Sequence, residues 1–552
     1  MKQMTRRNFL AGFAATGALA TVGALSACSP ESKTPHEANA SQEALDEAKA
    51  AIKLPQSQEF NVYLPEAGTV AFEKEPITSI AETSSYDVVI CGAGIAGVSA
   101  AASCAENGLK TLLLEKGDTI AARGGDVACV GDSYHKAAGV NIEPEEIVGE
   151  LLLSSGYRAD ASLIRKWAYR CGEATDWMLE TVSPEAAKGV IKFADGNQDC
   201  GGVTWFATQI EFSNGMGPIV QGLLDHAIES GAEILFLTPA VQLVQDQNGS
   251  ITGVIAKKED GSYIQCNASK GVILATGSYE FNPDKMRECC RPRDLDTRMW
   301  MNPTTTDTGD GHLMGLAVGG VEDEYPHTVM TDPSGAGFGG YGPKIGMKPF
   351  LRVNDAGQRF VNEYIPWDCL ANAINSQMGA HDFCIVDDDM VAAMHQMADV
   401  HDYPVPFEDD YEEMKAQCVS ADTLEELAEK LSIPADALTA TIDRYNSFCD
   451  SGVDEDFGKE AKYLTPVRTP PFYGFDEGTM SLVTVSGLRV DKSCGVLSGE
   501  THRPIPGLYA IGNVQGSMFE NFYPHHINGV SHGRCLTFGY LLGRELSGKE
   551  TA

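Results

Sequence analysis

The chain has 552 residues, with 41 Lys and Arg against 77 Asp and Glu, a formal charge of −36. Such a surface repels phosphate backbones, which excludes a nucleic-acid partner and leaves plain solubility or docking of a basic protein. With 43% hydrophobic and 21% charged residues the composition is globular, and the length exceeds what one core holds, so two domains with appendages are expected.

Residues 1–28 read as a leader outside the fold. Thr5-Arg6-Arg7-Asn8-Phe9-Leu10 is a twin-arginine signal, and the weakly apolar stretch 11–27 is too short and too rich in small residues to span a membrane. Leu25-Ser26-Ala27-Cys28 has the form of a lipoprotein box that would leave a lipidated Cys28; the plainer alternative is a signal-peptidase site just before it. The twin-arginine route exports folded proteins, so a periplasmic or cell-surface protein is expected, meeting the membrane only through that anchor. Residues 29–85 form a tether and lead-in, with one short helix expected at 41–53 and no clear pattern in 60–85.

Residues 86–116 read YDVVICGAGIAGVSAAASCAENGLKTLLLEK. An apolar strand ends at a turn, a helix of Ala, Ser and Val follows, and a second apolar strand closes on Glu115: the βαβ dinucleotide fingerprint in its required order. Gly92 permits the tight turn, Gly94 lets backbone N–H groups approach a pyrophosphate, and Gly97 lets the helix lie close on the strand. The helix start at Ile95 and Ala96 presents its partial positive charge there, and Glu115 can take ribose hydroxyls. An ordinary glycine turn would lack the flanking strands and the distal acid. Whether the dinucleotide is NAD or FAD stays open at this point.

Beyond Lys116, the small residues of Arg123-Gly124-Gly125-Asp126 would let a cofactor lie against backbone. Helical periodicity is expected over 143–155, 163–182 and 219–231, strands over 233–237 and 271–274, and a hairpin over 240–246 and 251–257 around Asn248-Gly249. Residues 282–472 turn irregular apart from a helical stretch at 423–447, and are expected to form an inserted domain. Gly507-Leu508-Tyr509-Ala510-Ile511-Gly512-Asn513 returns to the first domain, followed by a helix over 530–546. Fifteen cysteines carry no CxxC or CxxCH spacing, so neither a zinc, haem nor disulfide framework is legible, although a cluster built from distant cysteines stays open.

The fingerprint, the hairpin, the strand ending Ala275-Thr276-Gly277, Thr308-Gly309-Asp310-Gly311, Gly357-Gln358-Arg359-Phe360-Val361-Asn362-Glu363 and the GLYAIGN segment together resemble the flavoprotein subunits of the fumarate reductase and succinate dehydrogenase family. The resemblance runs from about residue 86 to 544. It implies an α/β fold: a Rossmann-like FAD-binding domain (86–281 and 473–552) with an inserted α+β capping domain (282–472). It also implies non-covalent FAD, since no histidine stands where covalent members attach it. The implied cofactor set is Gly92, Gly94, Ile95, Ala96, Gly97, Glu115, Lys116, Arg123, Gly124, Gly125, Asp126, Val241, Ala275, Thr276, Gly277, Asp310, Gly512, Asn513 and Ser531. No metal is expected.

Three groups that hold and protonate a small dicarboxylate in that family are missing. Trp367 stands where its proton-donating arginine precedes an aspartate, Leu482 and Val483 precede the Thr-x-x-Gly segment where its histidine lies, and 521–529 (NFYPHHING) replaces its clamp arginine. An indole N–H is no useful acid. Tyr523-Pro524 and Gly529 resemble instead the carbonyl-polarising pair of 3-ketosteroid dehydrogenases, although this loop is longer and His525 and His526 are foreign to it. The expected activity is reduction of an activated C=C bond, an enone or α,β-unsaturated carbonyl, with Tyr523 and Gly529 polarising the carbonyl and His526, Tyr364 or His327 supplying the proton. Fumarate is expected to be a poor substrate unless another arginine, Arg352 for instance, restores a carboxylate site. Electrons would come from a separate carrier, a cytochrome or quinol-linked protein. Two alternatives remain: the reverse reaction as a 3-ketosteroid-type dehydrogenase, and a ligand-binding surface lipoprotein with structural FAD.

Overall fold

Val88, Val89, Ile90 and Cys91 have no side that meets water, as a strand covered on both faces of a parallel sheet requires. In the computed structural model, which describes residues 64–191, 196–301, 304–333, 344–397 and 408–550, this strand, Glu82–Cys91, lies near the middle of an eight-stranded sheet. Along the sheet the parallel strands run Pro504–Ala510, Tyr263–Leu274, Glu82–Cys91, Thr111–Leu114, Glu233–Leu235. Gly495–Leu497 pairs antiparallel at one edge. The hairpin of Ala240–Gln245 and Ile251–Lys257 extends from Tyr263–Leu274; its turn is fixed by Asp246 Oδ1, which accepts from the amides of Asn248 and Ser250.

Gly92 has φ +109, a conformation closed to most side chains, and a Cβ on Gly97 would lie 1.9 Å from the Gly92 carbonyl oxygen. The glycines thus allow Ile95–Glu106 to start directly off the strand and lie on it. The terminal helix Val530–Leu546, found at the expected residues, packs along the first helix and returns its N-terminus to the mouth of the glycine turn.

Within the stretch that sequence left unassigned, residues 64–81 are tied down from a distance: the amides of Ala71 and Phe72 donate to Asp310 Oδ1. The strand expected over 271–274 is the end of a longer one, and that expected over 233–237 stops at Leu235, two residues before Leu237 turns to φ +49. The stretch 423–447 is two helices, Leu424–Leu431 and Ala435–Ser451: Ser432 closes the first at φ +59, and Pro434 has no N–H to continue it. A four-stranded antiparallel sheet, Leu351–Val353, Phe383–Val386, Phe472–Asp476 and Val419–Ala421 in spatial order, carries its own buried cluster with these two helices. A three-stranded sheet, Met299–Trp300, Met480–Thr484 and Val329–Asp332, bears residues of the cavity described next. The leader, the Cys28 box and the helix expected at 41–53 lie outside the described residues.

Candidate active site

The glycine turn opens onto a cavity of about 830 Å³, toward the upper end of the roughly 300–1,000 Å³ usual for ligand sites. At one part of its wall stand Gly92, Gly94, Ile95, Ala96, Glu115 and Lys116, with Pro239 and Ala240. No side chain caps the helix at Gly94 and its first turn holds no acid, so its positive end is open to an anion. Glu115 is locked in place: Oε2 accepts from Ala93 N and Oε1 from Gly117 N, both at 2.6 Å. Burial raises its carboxyl above the ordinary value, against the pull of those two amides. Lys116 Nζ donates to Thr308 Oγ1 at 2.7 Å and Asp310 Oδ2 at 2.9 Å, tying the lead-in to the cavity wall through Asp310.

Further along lie Arg123, Gly124, Gly125, Asp126, Ala275, Thr276, Gly277, Gly512, Asn513 and Ser531. Arg123 pairs with Asp307. The Asn513 Oδ1 accepts from Arg534 Nη2 at 2.8 Å. Buried Thr276 Oγ1 has no protein partner. An open helix terminus, a distal carboxylate, backbone-lined small residues and this orphan hydroxyl fit a dinucleotide flavin. Two expected cofactor residues are not on the wall: Gly97 lies beneath the turn, and Val241 is buried in its strand, where its carbonyl accepts from Glu73 N.

The remaining wall holds Met299, Trp300, Met301, Met330, Asp332, Trp367, Leu482, Val483, Tyr523, His525 and Gly529. The Tyr523 hydroxyl accepts from Ser531 N, at the start of the terminal helix, at 3.0 Å, which leaves its proton free to donate. Burial pushes its pKa well above the usual tyrosine value, while the Ser531 amide works the other way, so it stays a neutral donor. Gly529 N is taken by the Asn528 side chain at 3.1 Å, which moves the polarising role away from that amide. His525 packs edge-on to Tyr523 and beside Trp367, ring centroids 4.9 and 5.7 Å away. Its Nε2 lies 2.8 Å from Asp332 Oδ1 and its Nδ1 3.5 Å from Asp368 Oδ1. Burial works against the imidazolium, yet Asp332 and then Asp368 outweigh it and raise its pKa to about 9.

The three proton donors favoured from sequence stand elsewhere. His526 turns its Nε2 to Glu150 at 2.8 Å. Tyr364 stacks on Tyr463, centroids 4.0 Å apart, within a separate buried cluster. His327 is bonded to the Tyr279 hydroxyl at 2.6 Å, and burial lowers its pKa to about 4, so it is no acid at neutral pH. Nor does Arg352 reach the cavity: it is buried against Asp382 at 2.7 Å. Asp332 has no signal in sequence beyond being an acid, and Asp368 is marked only as the aspartate that follows the position of the missing arginine. Among the described residues every cysteine is a free thiol, and no helix is long and apolar enough to cross a membrane.

A βαβ turn opening on a cavity of this shape defines a flavin-dependent oxidoreductase, and residues 87–530 match the family model described as FAD binding domain, so the chain belongs to that family and uses FAD. Its relatives include both reductases and an oxosteroid dehydrogenase. The vinyl phenol reductase of Lactiplantibacillus plantarum is 30% identical over 86% of this chain and 98% of its own. The urocanate reductase of Eggerthella lenta is 28% identical over 79% and 70%, and the cytochrome-type fumarate reductase of Shewanella frigidimarina 26% over 86% and 79%. Among solved structures, the 3-ketosteroid-Δ4-(5α)-dehydrogenase of Rhodococcus jostii shares the fold, with a TM-score of 0.69 at 22% identity over 88% of this chain and all of its own.

Proposed function

We propose that this flavoprotein saturates the C=C bond of a conjugated, oxygen-bearing small molecule, an enone or a vinyl phenol, with His525 as the proton donor. The observation that carries the reading is the buried His525–Asp332 pair on the cavity wall beside Tyr523. FAD, once bound and reduced by the carrier, would supply two electrons as hydride to one alkene carbon. The proton for the other carbon is held at His525 Nε2, on the edge shared with Asp332; Asp368 on the opposite nitrogen keeps the ring charged and oriented. In an enone, the negative charge that develops as the π bond breaks moves onto the carbonyl oxygen, where the Tyr523 hydroxyl donates. In a vinyl phenol the alkene is protonated first, hydride then reduces the resulting quinone methide, and the charge arriving on its oxygen meets the same donor. Trp367 and the methionines cover the apolar body and exclude water. A ring charged at neutral pH is set to give a proton rather than take one, which favours reduction over the dehydrogenase direction.

Residues 282–472 would act as the cap over this site, and reducing equivalents would arrive from a separate cytochrome or quinol-linked carrier. Export through the twin-arginine route, with or without a lipid on Cys28, places the reaction outside the cytoplasm. Anaerobic mixing of chemically reduced protein with enones and vinyl phenols tests the reading: reoxidation with one equivalent of saturated product is expected. Failure of both classes to reoxidise FAD-loaded protein refutes it.

A further inference from the structure

Four basic side chains line the cavity among the described residues: Lys116, Arg123, His525 and His532. Each already faces an acid or a backbone oxygen, although Arg123 Nη1 keeps no hydrogen bond. Lys116 is held by Asp310 and Arg123 by Asp307. His532 Nδ1 donates to the Asp126 carbonyl at 2.8 Å, and His525 stands between Asp332 and Asp368. Where the substrate body would lie, the wall is Met299, Trp300, Met301, Met330 and Leu482. Among the described residues, the ionic group beside Trp367 and Tyr523 is His525 with two carboxylates, a group of three whose charges sum to about −1 with the imidazolium formed. Asp332, 4% exposed, is the carboxylate of that group on the cavity wall.

We propose that Asp332 sets the charge specificity of the site: it admits uncharged alkenes and turns away the same skeleton bearing a carboxylate. This deepens the reductase reading and rests on it. A substrate carboxylate drawn toward the imidazolium comes within about 4 Å of Asp332. At an effective dielectric near 20 the attraction of the imidazolium and the repulsion of Asp332 nearly cancel, and Asp368, farther off, leaves a net repulsion that suppresses occupancy by on the order of 10–10². An alkene without the carboxylate meets no such term, and its apolar face gains from leaving water. One residue thus serves two ends, holding His525 charged for proton transfer and excluding anions from the position next to it.

The test uses the FAD-loaded full chain, anaerobic, with reduced methyl viologen as donor and three substrates: 4-hydroxystyrene, 4-hydroxycinnamate and methyl 4-hydroxycinnamate. The wild type should favour the styrene over the acid by at least about tenfold in kcat/KM. The ester, larger than the acid but uncharged, should react within about tenfold of the styrene. Asp332→Asn should shrink the styrene-to-acid ratio by at least about tenfold, mostly through the KM for the acid, even though both rates fall as His525 loses its partner; Asp332→Glu should keep the preference. An acid reduced as well as the styrene by the wild type overturns the proposal while leaving the reductase reading intact. Refusal of the ester along with the acid makes size the filter and also overturns it, as does an unchanged ratio in Asp332→Asn. If none of the three is reduced, the reductase reading for this substrate class falls and the proposal falls with it. Should Asp332→Asn fail to fold, the acid–ester comparison in the wild type still decides between charge and size.

Discussion

Raising the pH through 9 isolates the work of His525. Burial by itself would drive the ring neutral, but Asp332 and Asp368 bring its pKa to about 9. At that value about 99% of the ring is charged at pH 7 and about 9% at pH 10, whereas an ordinary histidine near 6.5 is already about three-quarters neutral at pH 7. Single-turnover reoxidation by the alkene should therefore be flat from pH 6 to 8 and fall about tenfold per unit above 9. The raised folded-state value is also a stability statement. The group holds its proton more tightly folded than unfolded, so its contribution is complete below pH ~6.5 and is lost as pH rises through 9, on the order of 3 kcal/mol in all. Stopped-flow absorbance of the flavin band reads the rate, and ferricyanide, which needs no protein-held proton, serves as the control oxidant. His525→Gln should lower the alkene rate by about 10²–10⁴ and abolish the alkaline limb while sparing the ferricyanide rate. It also leaves Asp332 and Asp368 without their cation, a loss of roughly 3–5 kcal/mol, so flavin content and melting temperature are checked first. A limb centred near pH 6.5, or a variant with the wild-type rate and limb, refutes the assignment of His525.

Tyr523→Phe should retain FAD and lower alkene turnover by about 10²–10³, the effect of losing one donor to a developing oxyanion; wild-type turnover would remove Tyr523 from the chemistry. Glu115→Ala should raise the Kd for FAD in reconstitution titrations, because the amides of Ala93 and Gly117 lose their buried acceptor at about 1–3 kcal/mol each. The FAD bound by the wild type should leave the chain intact on heat denaturation and stay in the filtrate, which covalent attachment would prevent. Replacing Arg6 and Arg7 with Lys should retain folded, yellow protein in the cytoplasm, and Cys28→Ala should free exported protein from the membrane fraction if the cysteine is lipidated.

The cofactor end was legible because its requirements are local. A turn that needs φ +109 at Gly92, a helix that must lie against a carbonyl at Gly97, and strands buried on both faces leave consecutive residues little freedom, and the spacing survives in sequence. The lead-in defied reading because its order comes from a partner more than two hundred positions away, Asp310, which accepts from Ala71 and Phe72. The single helical stretch expected over 423–447 failed at Ser432–Pro434, where a proline two residues past the cap should have signalled the break.

The substrate end was legible as an absence and illegible as a presence. Losing arginine at Trp367 and histidine at Leu482–Val483 could be read directly, and those side chains do face the cavity. What replaced them could not, because it is assembled from three distant segments. Val329–Asp332 brings Asp332 on a strand, the helix Trp367–Asn375 brings Asp368 in its first turn, and the 525–527 turn brings His525 between them. Adjacent His525 and His526 are indistinguishable by spacing, yet on a single turn their rings diverge, one to Asp332 and the other to Glu150. Only the first acquires two carboxylates, and that asymmetry converts a residue neutral by default into an acid at pH 7. Trp367 is no acid itself, but it packs beside the ring proposed as one. On the proposed reading the donor has moved from the helix that carries Trp367 to the loop that faces it, with Asp368, the residue next in sequence, still 3.5 Å from the ring that holds the proton.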